Sequence, residues 1–284
     1  MRAAVIIRCK DESAFIGKTL EGVFSQKTDA HIEVIVIDSG STDGTLGIAR
    51  RFPCRVVEIP PESFGYGYTM NMGARLTDAD ALIYLSAHCP PVDELWLDGL
   101  LAPLSDATVA GCFGRQMPLP GVNPFEEWRF ARAFPAGPVH PQEHMFSSAS
   151  ASVRRTVWER LPFDESLPFS EDREWAKRSA GRGMKVVYVP ESRVYHVHRF
   201  SMQGVRERAY AAGWAKKKIY GRACKFDSRL WVVGAYSYCV ARDFVHFAAN
   251  AYWGYMRYIL KYRVEELAGF YQGALDYKKA AIKA

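Results

Sequence analysis

Residues 34–45, Val-Ile-Val-Ile-Asp-Ser-Gly-Ser-Thr-Asp-Gly-Thr, constrain the fold more than any other stretch. Four consecutive β-branched apolar residues suit a central parallel strand buried on both faces. A polar turn punctuated by Gly40 and Gly44 follows at once, where the backbone must pass into the next helix. In an open α/β sheet, ligands gather outside the carboxyl ends of the strands, so Asp38 stands where a ligand is met. The same residues also suit a self-contained turn, in which Asp38, Ser41 and Asp43 accept only turn and cap hydrogen bonds. The stretch alone leaves both readings open.

Alternation on either side supports a parallel sheet. Apolar strands at 3–7, 55–58, 81–85 and 109–115 alternate with helical patterns at 15–25, 42–51, 67–76 and 92–104, the order of right-handed βαβ units. The strand at 81–85 runs into Ser86-Ala87-His88 before Pro90-Pro91, which offer no N–H to a ladder, so a second polar strand end lies near Asp38. The rhythm then stops. Residues 117–142 hold six prolines and several aromatics, which predicts a long functional loop with one short helix at 126–134. Residues 147–153 are small and hydroxyl-rich, and a helix is expected after Arg154-Arg155, through 161. Ser170 precedes an acidic helix start, Glu171-Asp172. Short strands are expected at 185–189 and 193–198, the second placing His196 and His198 on one face.

From 201 onward the pattern is helical, which divides the chain into a catalytic domain, 1–200, and a helical extension, 201–284. The first helix is basic, with Arg206, Arg208, Lys216, Lys217, Lys218 and Arg222; the second, 230–262, is aromatic. Its charge-free runs, 230–241 and 244–256, fall short of the roughly 20 residues that span a bilayer. Such a helix suits a membrane interface, the catalytic domain or a second subunit of a homo-oligomer.

At 49% hydrophobic and 24% charged residues the chain is globular, and its net charge of +6 suits anionic partners such as nucleotide diphosphates or lipid phosphates. No dense basic stripe points to nucleic acid. Six cysteines without a CxxC pair read as reduced cytosolic thiols. The apolar run 3–7 is too short for a signal-peptide core and meets Arg8, Lys10, Asp11 and Glu12 at once.

Taken together, Ile6-Ile-Arg-Cys-Lys-Asp-Glu12 with Leu20 and Gln26, residues 34–45, Asn71-Met72-Gly73 and Ser170-Glu171-Asp172 resemble the family 2 glycosyltransferases of the GT-A fold over about residues 1–200. That resemblance implies a Rossmann-like, mostly parallel sheet and inverting transfer from a nucleoside diphosphate sugar, UDP- or dTDP-linked, to a hydroxyl of a glycan or lipid-linked acceptor. It places Arg8, Glu12 and Asp38 around base and ribose, adds Asn71, Arg75, Ser86 and His88 to the donor side, and makes Asp172 the general base with Glu171 orienting the acceptor. Bacterial surface polysaccharide assembly with a deoxyhexose such as rhamnose is the implied setting, at the inner face of the cell membrane.

One position departs from the family pattern. Ser86-Ala87-His88 stands where members usually carry the Asp-x-Asp that holds a divalent metal on the diphosphate. A hydroxyl supplies no charge, but imidazole ligates, which suits manganese better than magnesium. His88 with His196 or His198 then forms a candidate metal site. The alternative is metal-independent, with Arg75, Arg199 and Arg206 neutralising the leaving group. Acceptor contacts fall to Trp128, Phe130 and Phe134 of the irregular loop and to Trp175 beside the base. A nucleotide-sugar-binding partner subunit without catalysis is the rival function. A nucleotidyltransferase is disfavoured because 8–12 contain no glycine-rich phosphate loop.

Overall fold

The computed structural model describes residues 1–137, 145–196 and 201–283. The chain forms two compact units, one of Met1–Leu167 with Glu171–Val197 and the other of Pro168–Ser170 with the C-terminal helices. In the first unit the elements run β1 (Arg2–Cys9), α1 (Ile16–Phe24), β2 (His31–Asp38), α2 (Thr45–Ala49), β3 (Arg55–Glu58), α3 (Tyr66–Arg75), β4 (Ala81–Ser86), α4 (Trp96–Leu101) and β5 (Val109–Met117). They continue through α5 (Pro124–Ala133), β6 (Ser150–Arg154), α6 (Arg155–Arg160), α7 (Glu171–Ala180) and β7 (Lys185–Tyr195). The seven strands form one sheet in the order β3-β2-β1-β4-β6-β5-β7. Every neighbouring pair is parallel except those made by β6, which runs antiparallel to β4 and β5.

Both faces of the sheet are covered, which explains the unbroken apolar runs. Residues Ala3 to Ile7 of β1 are all fully buried. Val5 and Ile7 pack on one face with α1 and α4, Ile6 on the other with Met70, Trp158 and Trp175. Each large aliphatic buried this way contributes about 1.5–3 kcal/mol. Gly73 is required where α3 crosses β1, because a Cβ there would collide with the Ile6 side chain. Helix α5 begins as its sequence directs: Asn123 accepts the Glu126 N–H at 3.0 Å, Pro124 opens the helix, and Glu126 and Glu127 meet its positive end.

Two expectations change here. The hydroxyl-rich segment contains β6, a strand with little intrinsic preference for extended structure. Its buried Ser152 donates to the Leu100 carbonyl at 2.8 Å and Ser150 accepts from the Trp96 indole at 2.9 Å, so small polar residues are satisfied inside the sheet. The two short strands expected at 185–189 and 193–198 are one strand, β7, whose register with β5 shifts between Gly114 and Arg115.

The second unit contains α8 (Met202–Tyr220), α9 (Arg229–Ala249) and α10 (Met256–Lys283). The aromatic helix expected over 230–262 is therefore interrupted: Ala251 takes a left-handed φ of 58° and Asn250 Nδ2 donates to the His246 carbonyl at 2.8 Å, which ends α9. Helices α8 and α10 approach so closely that a Cβ on Gly213, Gly269 or Gly273 would collide with the backbone of Phe270, Arg206 or Tyr210. Asp243 of α9 is fully buried and accepts from Arg263 of α10 at 2.8 Å and from Arg242 at 2.6 Å.

Candidate active site

The carboxyl ends of β1, β2 and β4 meet at one edge of the sheet, and the loops there are laced together. Asp38 Oδ1 accepts the N–H groups of Gly40 and Ser41, each at 2.9 Å, while Oδ2 accepts the Ser41 hydroxyl. Asp11 takes the Thr42 N–H at 2.8 Å, Thr45 Oγ1 takes the Glu12 N–H at 2.7 Å, and Asp43 takes the Ser13 N–H at 2.9 Å. Desolvation opposes ionisation of Asp43, but bonds from Thr45 and Ser13 outweigh it and hold the carboxyl well below the usual range. Asp38 itself is fully buried with its oxygens engaged. It fixes the turn at the carboxyl end of β2, the position where the sequence expects a donor contact.

Beside this wall lies an acid pair under a buried cation. Glu171, at the start of α7, is 3% exposed, and Arg8 Nη1 lies 3.9 Å from its Oε1. Arg8 Nη2 donates to Ser148 Oγ at 3.3 Å, and the guanidinium sits 5.5 Å from the Tyr66 ring centre. Its Nε and Nη1 are buried without a hydrogen-bond partner among the described residues. Asp172 keeps part of its surface open and accepts the Ser148 N–H at 3.3 Å. Desolvation, and then the charge of Asp172, push the Glu171 carboxyl above the ordinary range against the opposing pull of Arg8. Asp172 is raised as well, by desolvation, with Arg173 opposing. A buried and a partly buried carboxyl side by side therefore resist losing both protons.

The third component is a pair of histidines. His88, just beyond β4, directs Nδ1 at Glu12 Oε1, 2.6 Å away, and its Nε2 lies 3.2 Å from His196 Nε2. His196, at the end of β7, directs Nδ1 at Gln116 Oε1, and Gln116 Nε2 donates to Ser147 Oγ at 2.7 Å. Both Nδ1 atoms face acceptors, and the tautomers that place protons on them turn the two Nε2 atoms, 3.2 Å apart, toward a common point. A cation is what such an arrangement stabilises. Nitrogens about 2.1 Å from one ion lie about 3.0 Å apart as cis octahedral ligands and about 3.4 Å apart as tetrahedral ones, so the residues fit a divalent metal. Cys89 adds a nearby sulfur, since ligand atoms of His88, Cys89 and His196 all lie within 4.8 Å. Burial raises the Cys89 thiol well above its ordinary value, which favours the imidazoles as ligands.

Ser147 and Ser148 join these components. One bonds Gln116 behind His196 and the other bonds Arg8, Glu171 and Asp172. Their location in an irregular approach to β6 carried no recognisable signal, and neither did Gln116 or Tyr66.

Other expected site residues lie elsewhere. Asn71 is buried and saturated: Nδ2 donates to Phe163 O and Glu165 Oε1, both at 2.9 Å, and Oδ1 accepts from Trp158 Nε1 at 2.9 Å and Phe163 N at 3.0 Å. It pins α3 to the segment after α6. Arg75, in the last turn of α3, heads toward the amino end of β4 and pairs with exposed Glu165 at 3.5 Å, away from the strand ends. Trp175 is fully buried against Phe146 and Phe163 and cannot stack on a sugar. Trp128 of α5 is half-buried beneath Arg132. Its neighbour Phe130 packs edge to face with His196, ring centres 5.8 Å apart, which brings α5 to the site. Ser86 ends β4 opposite Arg8 in register. Arg206 pairs with Glu265 in the helical unit, and His198 and Arg199 lie outside the described residues.

The family model for glycosyl transferase family 2 matches residues 4–161, more than half of the chain. The chain belongs to glycosyl transferase family 2. The O-antigen chain rhamnosyltransferase WbaN of Salmonella anatum is 28% identical over 204 residues, 67% of this chain and 64% of its own. RfbN of Salmonella typhimurium, also an O-antigen chain rhamnosyltransferase, is 27% identical over 238 residues, 75% of this chain and 72% of its own. The chain thus spans about two thirds of the length of these curated relatives. Among solved structures, the mannosyltransferase PcManGT of Pyrobaculum calidifontis, in complex with GDP-Man and Mn2+, superposes with a TM-score of 0.67 at 19% identity, covering 97% of this chain and 87% of that one. Glucosyl-3-phosphoglycerate synthase of Mycobacterium tuberculosis, in complex with Mn2+, UDP and its product, gives 0.54 at 18% identity over 74% and 78% of the two chains. At these identities the likeness establishes the GT-A fold.

Proposed function

We propose that this family 2 chain transfers a deoxyhexose, rhamnose in the first instance, from a UDP- or dTDP-linked donor to a hydroxyl of a glycan or lipid-linked acceptor, with inversion, in bacterial surface polysaccharide synthesis. The observation that carries the reading is the connected set of Arg8, the Glu171–Asp172 pair and the converging His88 and His196, joined through Ser147, Ser148 and Gln116. The names of the Salmonella relatives support the sugar. The six cysteines, all free thiols, suit a cytoplasmic setting.

Asp172 is the general base. It is the more open of the two acids, and Ser148 N–H and Arg173 N–H fix its carboxyl, the latter at 2.7 Å. It takes the proton of the acceptor hydroxyl as that oxygen attacks the anomeric carbon, a task worth about 10²- to 10⁴-fold. Glu171 holds a proton beside it and stays neutral, which spares Arg8 for the donor. Arg8, whose guanidinium lies beside the acid pair, stabilises charge as the nucleotide departs.

His88 and His196, oriented by Glu12 and Gln116, would hold a divalent metal. A divalent ion there supplies further positive charge to the leaving diphosphate. Nitrogen ligands favour manganese over magnesium. Phe130 and Trp128 of α5 present aromatic surface to the acceptor.

The deciding experiment pairs Asp172→Asn with donor-binding calorimetry. Transfer falls by at least about 10²-fold while donor affinity stays within threefold of wild type. Normal turnover in the variant removes Asp172 as base. Absence of donor hydrolysis and transfer in the wild-type chain across UDP- and dTDP-sugars, despite donor binding, would instead leave a binding subunit.

A further inference from the structure

The helical unit carries an apolar stripe that sugar transfer does not use. Along α9, Leu230, Val233, Tyr238 and Val245 expose 63–89% of their surface, and Trp253 just beyond it exposes 58%. The first four recur at helical spacing, so they share one side of the helix. Of the charges of α9, Asp243 is buried in the ion pair with Arg263 of α10, Arg242 of the same pair lies 5.8 Å from the Tyr238 ring centre at the edge of the stripe, and Arg229 opens the helix. Large apolar side chains left in water on one face mark a surface that is covered in use.

Charge decides what covers it. After residue 200 the chain has fifteen Lys and Arg against six Asp and Glu, a surplus of nine. The whole chain is +6, so the preceding residues are negative by three. Exposed Arg222, Lys225 and Arg229 precede or open the stripe, and exposed Arg257 and Lys261 follow it. Among the described residues none of these five has an acidic partner. A second copy docked on the same stripe would bring two such positive units together, which repels. An anionic lipid surface complements both the stripe and its cations. No helix among the described residues is long and apolar enough to cross a membrane.

We propose that α9 is a membrane-docking helix. It lies in the plane of an anionic bilayer with Leu230, Val233, Tyr238, Val245 and Trp253 in the headgroup–acyl boundary and the flanking cations on lipid phosphates. This goes beyond the transfer reaction and stands independently of it.

Flotation of the full chain with vesicles of phosphatidylcholine, alone or mixed with phosphatidylglycerol, tests it at low and high salt. The wild-type chain floats with the mixed vesicles at low salt, weakly with phosphatidylcholine, and is released as salt rises. The triple variant Leu230→Ser, Val233→Ser, Val245→Ser binds roughly tenfold more weakly, because each side chain is exposed and only burial in lipid is lost. Arg222→Gln, Lys225→Gln, Arg229→Gln weakens binding to the mixed vesicles by on the order of a hundredfold. Thermal unfolding of both variants tracks wild type. The proposal is overturned if the chain stays soluble with mixed vesicles or if the serine variant floats as wild type does. Sedimentation velocity covers the rival occupant: a dimer dissolved by the serine substitutions, without vesicle binding, assigns the stripe to a second copy instead.

Discussion

Replacing Asn71 with leucine separates a structural role from a donor-binding one. The side chain satisfies three groups that have no route to water: the Trp158 indole N–H, the Phe163 N–H and the Phe163 carbonyl. Leucine fills similar space, so no water enters, and it leaves all three unpaired. An unsatisfied buried polar group costs about 1–3 kcal/mol. The segment carrying Phe163 relaxes in part, so the low end of that range applies and the loss is about 3–6 kcal/mol. Against a usual domain stability of about 5–15 kcal/mol, the variant folds at low temperature but unfolds at much lower denaturant. Urea unfolding read by tryptophan fluorescence measures the loss, since Trp158 and Trp175 flank the site of change. Nucleotide affinity, measured where the variant is still folded, stays close to wild type. A stability change below about 1 kcal/mol together with lost nucleotide binding would refute the reasoning and return Asn71 to the donor pocket.

Other outcomes follow from the same geometry. His88→Ala and His196→Ala each lower manganese affinity measured by calorimetry on the purified chain, while Glu12→Gln, which weakens the hold on His88 Nδ1, lowers it by about 10- to 100-fold; unchanged affinity in all three removes the imidazole site. The raised Glu171 carboxyl makes the folded state bind a proton that the unfolded chain releases, so stability declines as pH rises from the ordinary carboxylate range toward the raised value. Glu171→Gln flattens that decline in denaturation curves taken across pH, and a slope identical to wild type contradicts the assignment. Asp243→Ala removes the buried carboxylate that Arg263 and Arg242 share, leaves Arg263 paired with Glu266, and costs about 1.5–3 kcal/mol in thermal or urea unfolding. Gly273→Val pushes α10 off the Tyr210 backbone and costs about 1–3 kcal/mol or more, with no change in the vesicle binding of whatever remains folded.

The sequence by itself determined the sheet's parallel core and the family, and it marked the acidic start of α7. Those features are local: β-branched runs, a glycine-punctuated turn and an acidic helix start are written in consecutive residues. Strand β3 and helices α1, α3, α5 and α6 lie within two residues of where periodicity puts them. Neither β6 nor the break after α9 was visible, because Ser150 and Ser152 are extended only by partners on α4, β4 and β5, and nothing between Asn250 and Tyr252 resembles a strong stop. Only the tertiary structure decided which polar residues are spent on bonds inside the fold. Asp38, Asn71 and Trp175 look functional in a motif, yet each is consumed by bonds or packing inside the fold. Arg8, Gln116, Ser147 and Ser148 come together from β1, β5 and the approach to β6, across separations no pattern in the chain encodes. Burial and the pairing of distant atoms set the charge of Glu171 and the lone pairs of His88 and His196, and both arise only when the chain is folded.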